Sequence, residues 1–301
     1  MPELPEVEVA RRNLERWLRR GMLVRVELSP RLFVVSGVGG ARAFAEAMRG
    51  RTVRAIERRG KWLRLVVDGG PARDGRLALF SHLGMTGKWV LRAHDAPPER
   101  FERARLDTPK RSVRYVDPRL FGTLQGARGD DAPAAWSVLG PDALVDGVDA
   151  ARLHERLRRS SRSIKETLLD QTIVAGVGNI QAAEALWRAK INPLRASSSL
   201  SAAEVRALAA AIEASIRDTL ARDDSPELTY VEEPGADNPF DVYGKQGEPC
   251  PRCGTKLQRI VQGGRSTVFC PRCQPPRQPR PPRPPRQPRP PRQRRAARRA
   301  T

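Results

Sequence analysis

The sequence predicts an α+β protein: an antiparallel β-sandwich with an N-terminal helix, followed by a helical domain and a C-terminal cysteine-bearing β-hairpin. Three observations support this fold class. Short strand-like runs fill the first 130 residues, helical periodicity dominates 150–220, and all four cysteines lie between 250 and 273. The predicted boundaries are 1–130 for the sandwich, 131–149 for a linker, 150–241 for the helical domain, 242–273 for the cysteine unit and 274–301 for a disordered tail.

The first part of the chain combines one helix with many short strands. Apolar residues recur at helical spacing over 4–20, and Gly21 is the expected end of that helix. Turns containing glycine or proline separate the strand-like runs that follow. These runs are Met22–Leu28, Thr52–Ile56, Trp62–Val67, Leu77–Ser81, Lys88–Leu91 and Val113–Val116. One helix followed by short strands is typical of an antiparallel sandwich.

The middle of the chain changes character at an acidic stretch rich in proline and glycine, from Gly129 to Gly147, which we interpret as the linker. Beyond it, apolar spacing predicts a helix at about 201–220, with Ser201 and Glu204 at the spacing of a capping box. A glycine-punctuated turn, VAGVGNI at 174–180, separates two shorter helical stretches.

The cysteines form two pairs, Cys250-x-x-Cys253 and Cys270-x-x-Cys273, separated by sixteen residues. This is the spacing of a structural Zn²⁺ site in which two turns each supply two thiolates. Four thiolates leave no open position on the metal, so we expect a structural ion. Between the pairs, Gln262-Gly263-Gly264-Arg265 is expected to form a hairpin turn that presents an arginine.

The charge of the chain indicates a polyanionic partner. Lys and Arg number 55 against 34 Asp and Glu, for a net charge of +21. The tail from Gln274 to Thr301 has ten arginines and no acid; removing those ten charges still leaves +11. No apolar run predicts a membrane span, so nucleic acid is favoured over a membrane and a cytoplasmic location is expected. We expect the tail to add salt-sensitive, nonspecific affinity.

The N terminus carries a possible nucleophile. Removal of Met1 from Met1-Pro2-Glu3 would leave a secondary amine on Pro2. An α-amino group has a pKa near 8 in model peptides, well below that of lysine. Such an amine can attack a sugar C1′ to form a cationic imine, with Glu3 as an acid or base beside it.

Six segments in one order resemble the bacterial formamidopyrimidine-DNA glycosylase family. They are MPELPEVE at the start, RGKWL at 59–63, SHLGMTG at 81–87, DPRLFG at 117–122, LLDQTIVAGVGNI at 168–180 and the cysteine hairpin. The resemblance covers 1–273. It implies a monomeric, zinc-containing DNA glycosylase and AP lyase that excises oxidised purines from duplex DNA and cleaves the strand by β,δ-elimination, near the bacterial nucleoid. It also implies a helix–two-turn–helix around 174–180.

The resemblance assigns roles to residues of this chain. Pro2 matches the Schiff-base nucleophile, Glu3 the proton donor for base release, and Glu6 a second acid of the site. Lys61 matches the lysine of β-elimination and phosphate contact, and Arg265 the hairpin arginine of phosphate contact and δ-elimination. The predicted DNA contacts are Met85, Arg119 and Phe121, which match the residues that fill the space of the extruded nucleotide, and Asn179, Arg162 and Lys165, which are expected at phosphates.

Four positions depart from the family pattern. Leu120 stands where an arginine is common, Gln181 where a tyrosine is common, and 100–103 lacks a histidine. The loop at 222–241 does not resemble the segment that closes over flipped 8-oxoguanine. Two alternatives therefore stay open: an endonuclease VIII-like enzyme for oxidised pyrimidines, and a non-catalytic zinc-finger DNA-binding protein.

Overall fold

The computed structural model describes residues 2–34, 39–68, 75–222 and 227–276. Met1 and all but the first three residues of the predicted tail lie outside these ranges, as does part of the loop at 222–241. Among the helices of the described ranges, none combines the length and apolar character needed to cross a membrane.

The N-terminal helix α1 spans Leu4–Leu18, two residues shorter than predicted. Its end is set by pairing with a neighbouring strand rather than by Gly21 alone. Arg20 takes a left-handed φ of 62° and donates its N–H to the Val53 carbonyl at 2.9 Å. Gly21 then approaches so closely that an added Cβ would lie 2.6 Å from Cγ2 of Thr108.

Two sheets form the predicted sandwich. The strands are β1 (Arg25–Leu28), β2 (Phe33–Val34), β3 (Thr52–Arg59), β4 (Trp62–Asp68), β5 (Leu77–His82), β6 (Lys88–Arg92), β7 (Glu102–Thr108), β8 (Arg111–Val116) and β9 (Thr123–Arg128). One sheet has the order β1-β7-β8-β6 and the other β2-β9-β5-β4-β3. Every pair is antiparallel except the two-residue β2 beside β9. Leucine, valine and aromatic side chains between the sheets, together with the apolar face of α1, form the main core.

Several sequence-based expectations need correction here. The run Met22–Leu28 is a strand only from Arg25, with an isolated bridge at Met22. The prediction missed β2, β7, β9 and helix α2 (Ala41–Met48). Strand β7 was not predicted because it contains a buried ion pair. The Arg105 guanidinium pairs with the Asp107 carboxylate at 2.9 Å, and both side chains are buried. A strand whose ion pair is buried does not show the alternation of apolar and polar residues that predicts strands.

The helical part contains α4 (Ala150–Arg158), α5 (Ile164–Leu168), α6 (Asn179–Arg188), a 3₁₀ turn at Ser197–Ser199 and α7 (Ala202–Arg222). Before it, the predicted linker includes the short helix α3 (Ala134–Ser137) and a buried carboxylate, so it is an ordered junction rather than a spacer. The predicted capping box of α7 is confirmed, because Ser201 Oγ accepts the Glu204 N–H and Glu204 accepts the Ser201 N–H.

Side chains from the sandwich domain and from the helical part each pack into the hydrophobic core of the other. Leu4 of α1 packs into the helical core, where an added Cβ on Gly176 would lie 2.4 Å from Leu4 Cδ1. In the other direction, Leu228 and Tyr230 pack into the sandwich core, and the Tyr230 hydroxyl donates to the Gly87 carbonyl at 2.6 Å. The sandwich and the helices are therefore joined through shared cores.

The C-terminal hairpin consists of β10 (Gln258–Gln262) and β11 (Arg265–Phe269). Its turn has left-handed φ values of 52° at Gly263 and 73° at Gly264. Two consecutive positive φ angles define the type I′ turn that suits a two-residue hairpin, and glycine adopts them without strain. The turn places Arg265 at the exposed tip, as the sequence predicted.

Candidate active site

Pro2 lies buried immediately before α1, at the junction of the sandwich and the helical domain. Glu3 is the N-cap residue, and its backbone N–H donates to Oε2 of Glu6 at 2.8 Å. The next residue, Leu4, donates its N–H to the Gly176 carbonyl at 3.1 Å. These contacts fix the first residues of the described chain against the glycine-punctuated turn at 174–180.

The Glu3 carboxylate is fully buried and accepts three backbone hydrogen bonds. The donors are the N–H groups of Ile180 at 2.7 Å and of Gly178 and Gln181, both at 3.0 Å. Helix α6 starts at Asn179, so this carboxylate occupies the N-terminal end of α6, where the helix dipole favours negative charge. A residue of one domain therefore caps a helix of the other.

Lys61 meets Glu3 above Gly178. It lies in the turn between β3 and β4, and an added Cβ on Gly178 would fall 2.5 Å from Lys61 Nζ and 2.3 Å from Glu3 Cδ. Burial lowers the pKa of Lys61, and the positive charge of Arg265 adds to the effect, while Glu3 and Glu6 oppose it. The ammonium is thus more ready to give up its proton than an exposed lysine.

Glu6 is the titratable carboxyl of this cluster. Burial, followed by the negative charge of Glu3, raises its pKa from 4.5 to about 7. Near neutral pH, Glu6 therefore exists in both protonation states, so it can store or release a proton next to Pro2 and Glu3.

A buried ion network, not anticipated from the sequence, holds the Lys61 turn in place. Asp142 Oδ2 accepts the Gly60 N–H at 2.6 Å and pairs with the Arg58 guanidinium at 2.6 Å. Arg58 also pairs with Glu8 of α1 at 3.0 Å. All three charged groups are buried, and removal of the Arg58 guanidinium would leave the Asp142 carboxylate without a cationic partner. A single sequence offers no signal for contacts 50 and 84 residues apart.

A second polar cluster joins the hairpin to the two-turn element. The Lys165 ammonium donates to Asn179 Oδ1 at 2.6 Å, to Thr267 Oγ1 at 2.6 Å and to the Ser266 carbonyl at 3.0 Å. The Asn179 amide also donates to the Ser266 carbonyl at 3.1 Å. This cluster positions Arg265, the neighbour of Ser266, beside the site.

The structure buries the Lys165 side chain, and a phosphate contact at this residue stays a prediction. Its side chain is 1 % exposed, and its three hydrogens already have protein acceptors. Burial lowers its pKa to about 8. Lys165 is an internal link, whereas Arg162 is exposed and pairs with Asp170 at 2.8 Å.

Met85, Arg119 and Phe121 lie together on two exposed loops of the sandwich. The guanidinium carbon of Arg119 is 4.8 Å from the centre of the Phe121 ring, a cation–π contact. Met85 is 38 % and Phe121 51 % exposed, so these two loops present apolar side chains beside an arginine. The loops touch through their backbones, since an added Cβ on Gly84 would lie 2.3 Å from the Phe121 carbonyl.

Asp117, to which the sequence analysis gave no role, shapes the second of these loops. Its carboxylate accepts the Thr86 hydroxyl at 2.8 Å and the backbone N–H groups of Gly122 at 2.8 Å and Arg119 at 3.2 Å. Leu120, between the two functional candidates, takes a left-handed φ of 57°. The turn therefore directs Arg119 and Phe121 to the same side.

The four cysteines converge as predicted. Their sulfurs lie within 4.8 Å of one another, and Sγ of Cys253 and Cys270 are 3.5 Å apart. Tetrahedral Zn²⁺ with bonds of about 2.3 Å places sulfurs about 3.8 Å apart, so Cys250, Cys253, Cys270 and Cys273 fit the ion.

Three family models match consecutive parts of the chain. Residues 1–124 match the formamidopyrimidine-DNA glycosylase N-terminal domain, 139–229 the H2TH domain of the same family, and 247–276 the zinc finger found in FPG and IleRS. The chain belongs to the formamidopyrimidine-DNA glycosylase family. This membership confirms the predicted fold class, the enzyme class and the single structural zinc site.

Individual family members are similar over nearly the whole chain. A formamidopyrimidine-DNA glycosylase of Nocardioides sp. is 40% identical over 93% of this chain and 97% of its own length. That of Acidothermus cellulolyticus is 41% identical over 93% and 99%. Among solved structures, MutM in complex with DNA containing carbocyclic 8-oxo-G has a TM-score of 0.80 at 33% identity, covering 91% of this chain and 100% of that one. The Lactococcus lactis Fpg complex with oxidised-pyrimidine DNA gives the same values.

Proposed function

We propose that this protein is a bifunctional DNA glycosylase and AP lyase that acts on oxidised bases in duplex DNA through an N-terminal proline. The observation that carries this proposal is the cluster at the start of α1, where Pro2 adjoins a buried carboxylate of Glu3 and the nearby ammonium of Lys61. A secondary amine, an acid and a base in one cleft are the groups that imine chemistry at a sugar requires.

After removal of Met1, the proposed reaction begins with attack of the free Pro2 amine on C1′ of the damaged nucleotide. The bond from C1′ to the base breaks, and a proton delivered through Glu3 accompanies the departing base. The Pro2 nitrogen then gives up its proton, the ring oxygen O4′ takes up a proton, and the C1′–O4′ bond breaks to leave a cationic imine between Pro2 and C1′. That imine acidifies the C2′ hydrogen, and removal of this proton expels the 3′ phosphate. A second elimination expels the 5′ phosphate and leaves a one-nucleotide gap.

Lys61 and Arg265 have distinct proposed roles in elimination. The lowered pKa of Lys61 makes it a suitable proton acceptor for β-elimination, and its charged form can contact a phosphate. Arg265 is exposed at the hairpin tip, and its proposed role is to hold the phosphates beside the lesion and to assist δ-elimination. Glu6, with a pKa near 7, can return a proton to the cluster.

The remaining candidate residues are proposed DNA contacts. Met85 and Phe121 are exposed apolar groups of the kind that wedge between base steps, and Arg119 can bond to the base left unpaired. Asn179 at the start of α6 and the exposed Arg162 are proposed phosphate ligands. The structural Zn²⁺ fixes the fold of the hairpin that presents Arg265.

We further propose that the protein is a monomer and acts at the bacterial nucleoid. Its proposed domains are the sandwich at 1–130, the helical domain at 150–241 and the zinc finger at 242–273. The proposed lesion class is oxidised purines such as 8-oxoguanine and formamidopyrimidines. The family name and the MutM complex support this preference, whereas the Lactococcus lactis enzyme was also solved with an oxidised pyrimidine. The loop after α7 packs onto the sandwich through the Tyr230 hydroxyl, which donates to the Gly87 carbonyl.

Borohydride trapping tests the proposal. Wild-type protein and a Pro2→Gly variant are compared on three duplexes that carry 8-oxoguanine opposite cytosine, an oxidised pyrimidine or an abasic site. We expect a covalent adduct on the 8-oxoguanine duplex that is greatly reduced in the variant. An adduct on only the pyrimidine or abasic duplex would overturn the lesion preference, and no adduct on any duplex would identify a DNA-binding protein without lyase chemistry.

A further inference from the structure

A cationic cleft lies at the end of α1 opposite to Pro2. Its volume is about 400 Å³, and it is lined by the helix end at 16–22 and the turn between β7 and β8 at 108–111. Five of its residues are basic: Arg16, Arg19, Arg20, Lys110 and Arg111. At 1.5 Å per residue, the 15 residues of α1 place this cleft roughly 22 Å from the candidate active site. It is therefore a separate surface of the sandwich domain.

The positive charge of the cleft is largely uncompensated. Arg19 pairs with Glu15 at 2.6 Å, but no carboxylate in the described ranges lies within 4.0 Å of the charged groups of Arg16, Arg20 or Lys110. These three side chains are exposed. Cations gathered around a concave surface repel one another, and an anion bound among them relieves that repulsion.

Two carbonyl groups at the helix end already accept hydrogen bonds from the protein. The Arg111 guanidinium donates to the Arg16 carbonyl at 2.6 Å, and the Gly21 N–H donates to the Leu18 carbonyl at 2.9 Å. The close approach of Gly21 to Thr108 fixes the helix end against the strand turn. These contacts hold the shape of the cleft, and its basic side chains lie at the rim.

Apolar groups lie among the cations. Trp17 and Pro109 line the cleft together with Met22, which is 47 % exposed. A nucleic-acid backbone is uniformly charged and uses extended basic strips, whereas a short peptide can place carboxylates on the rim and an apolar side chain between them. The mixture of groups and the small volume both favour a peptide.

We propose that this cleft binds an acidic peptide segment of a partner protein that contains at least one large apolar side chain. Its distance from Pro2 leaves the cleft free while the candidate active site holds DNA. The protein can then be recruited to its partner without a change in its own site. The proposal rests on the charge and shape of the cleft and does not depend on the lesion that the active site accepts.

The test uses fluorescence anisotropy with a labelled nine-residue peptide, three repeats of Asp-Asp-Phe. Full-length protein is compared with the double variant Arg16→Glu/Lys110→Glu. The matched control is Arg206→Glu/Arg217→Glu, which makes the same charge change at exposed positions of α7. We expect the cleft variant to weaken peptide binding at least tenfold and the control to stay within twofold, with base excision on a short duplex unchanged in both.

Three results would overturn the proposal. Equal weakening in both double variants would show that overall charge alone attracts the peptide. Equally tight binding of a nine-residue peptide in which serine replaces each phenylalanine would remove the apolar part of the argument. Binding of a 12-nucleotide single strand that competes with the peptide and is lost only in the cleft variant would make the cleft a nucleic-acid surface.

Discussion

The carboxylate of Glu3 accepts the backbone N–H of Ile180 at 2.7 Å, and this contact joins the first turn of α1 to the first turn of α6. The same carboxylate also accepts from Gly178 and Gln181, so one side chain satisfies three of the donors that a helix start leaves free. The acid of the candidate site is consequently also an element of the interface between the two domains.

Glu3→Gln should separate the two proposed activities. An amide keeps one acceptor oxygen but cannot donate the proton that accompanies base release, so we expect base excision to fall by about 10²-fold or more. Imine trapping at a preformed abasic site needs no such proton and should fall by less than about tenfold. Gel assays on both duplexes measure the difference, with Glu15→Gln on the same helix as control. Equal losses on both substrates would assign Glu3 a structural role only.

Gly178→Ala should reduce imine formation through a steric clash of the added methyl group, without straining the backbone. The φ of Gly178 is −126°, which alanine adopts readily, but its Cβ would lie 2.3 Å from Glu3 Cδ and 2.5 Å from Lys61 Nζ. We expect imine formation on an abasic duplex to drop by about 10²-fold because small displacements of reacting groups are costly. Gly40→Ala, where nothing lies within 4 Å of the added Cβ, should leave the rate unchanged. A fully active Gly178→Ala enzyme would show that Glu3 and Lys61 can move apart without loss.

Asp142→Asn should destabilise the protein and displace Lys61. The variant removes one of the two carboxylates that pair with the buried Arg58 guanidinium and leaves it only Glu8, which costs about 2–3 kcal/mol. Urea unfolding measures the free energy, and borohydride trapping at saturating DNA measures the remaining activity. The same exchange at Asp130, whose side chain is 97 % exposed, should cost less than about 1 kcal/mol. Similar costs at both positions would contradict the proposed importance of the junction.

Glu6→Gln should change how stability depends on pH. The folded pKa of about 7 lies above the ordinary 4.5, so the unfolded state ionises first and the folded wild type loses stability as pH rises from 4.5 to 7. Glutamine has no such dependence. As pH rises from 5 to 8, the free energy of unfolding of the variant should therefore increase by about 2 kcal/mol relative to that of the wild type. Chemical unfolding across that range checks this, with the exposed Glu46→Gln as control; a constant difference would place the Glu6 pKa near its ordinary value.

Removal of zinc should weaken DNA binding while the sandwich stays folded. The metal unit and the hairpin that presents Arg265 share one small core with Trp187 of α6. We expect one Zn²⁺ per chain, and chelation should reduce affinity for an abasic-analogue duplex by about tenfold or more. Filter binding before and after chelation measures this loss, and added Zn²⁺, but not Mg²⁺, should restore binding. Unchanged affinity in the metal-free protein would show that the hairpin holds its shape without the ion.

Local patterns predicted the parts of the molecule whose determinants are close in sequence. The zinc site depends on two short spacings, and the α7 capping box on residues three positions apart. Helix α1 was predicted two residues too long, since its end depends on a hydrogen bond from the Arg20 N–H to the Val53 carbonyl. Local spacing carries such information because the interacting groups are neighbours along the chain.

The features that were not predicted depend on contacts between residues far apart in the sequence. Lys165 was expected to face a phosphate because positive charge near the two-turn element suggests one, yet its partners include Thr267, 102 residues away. Asp142 belonged to a stretch interpreted as a linker, although its partner Arg58 precedes it by 84 residues. The burial of a charge is decided by tertiary packing, which a single sequence does not record.

The sharing of Glu3 between two domains limits how this protein can be recombined with its relatives. A chimera cut between the sandwich and the helices would take the Glu3 carboxylate and the Lys61 turn from one parent and Gly178 from the other, although these groups are in close contact. A functional exchange would have to carry residues 2–8, 58–61, 142 and 174–181 as a block, although they are scattered along the gene. The geometry of the candidate site is therefore a property of the boundary between the two domains, and neither domain contains it alone.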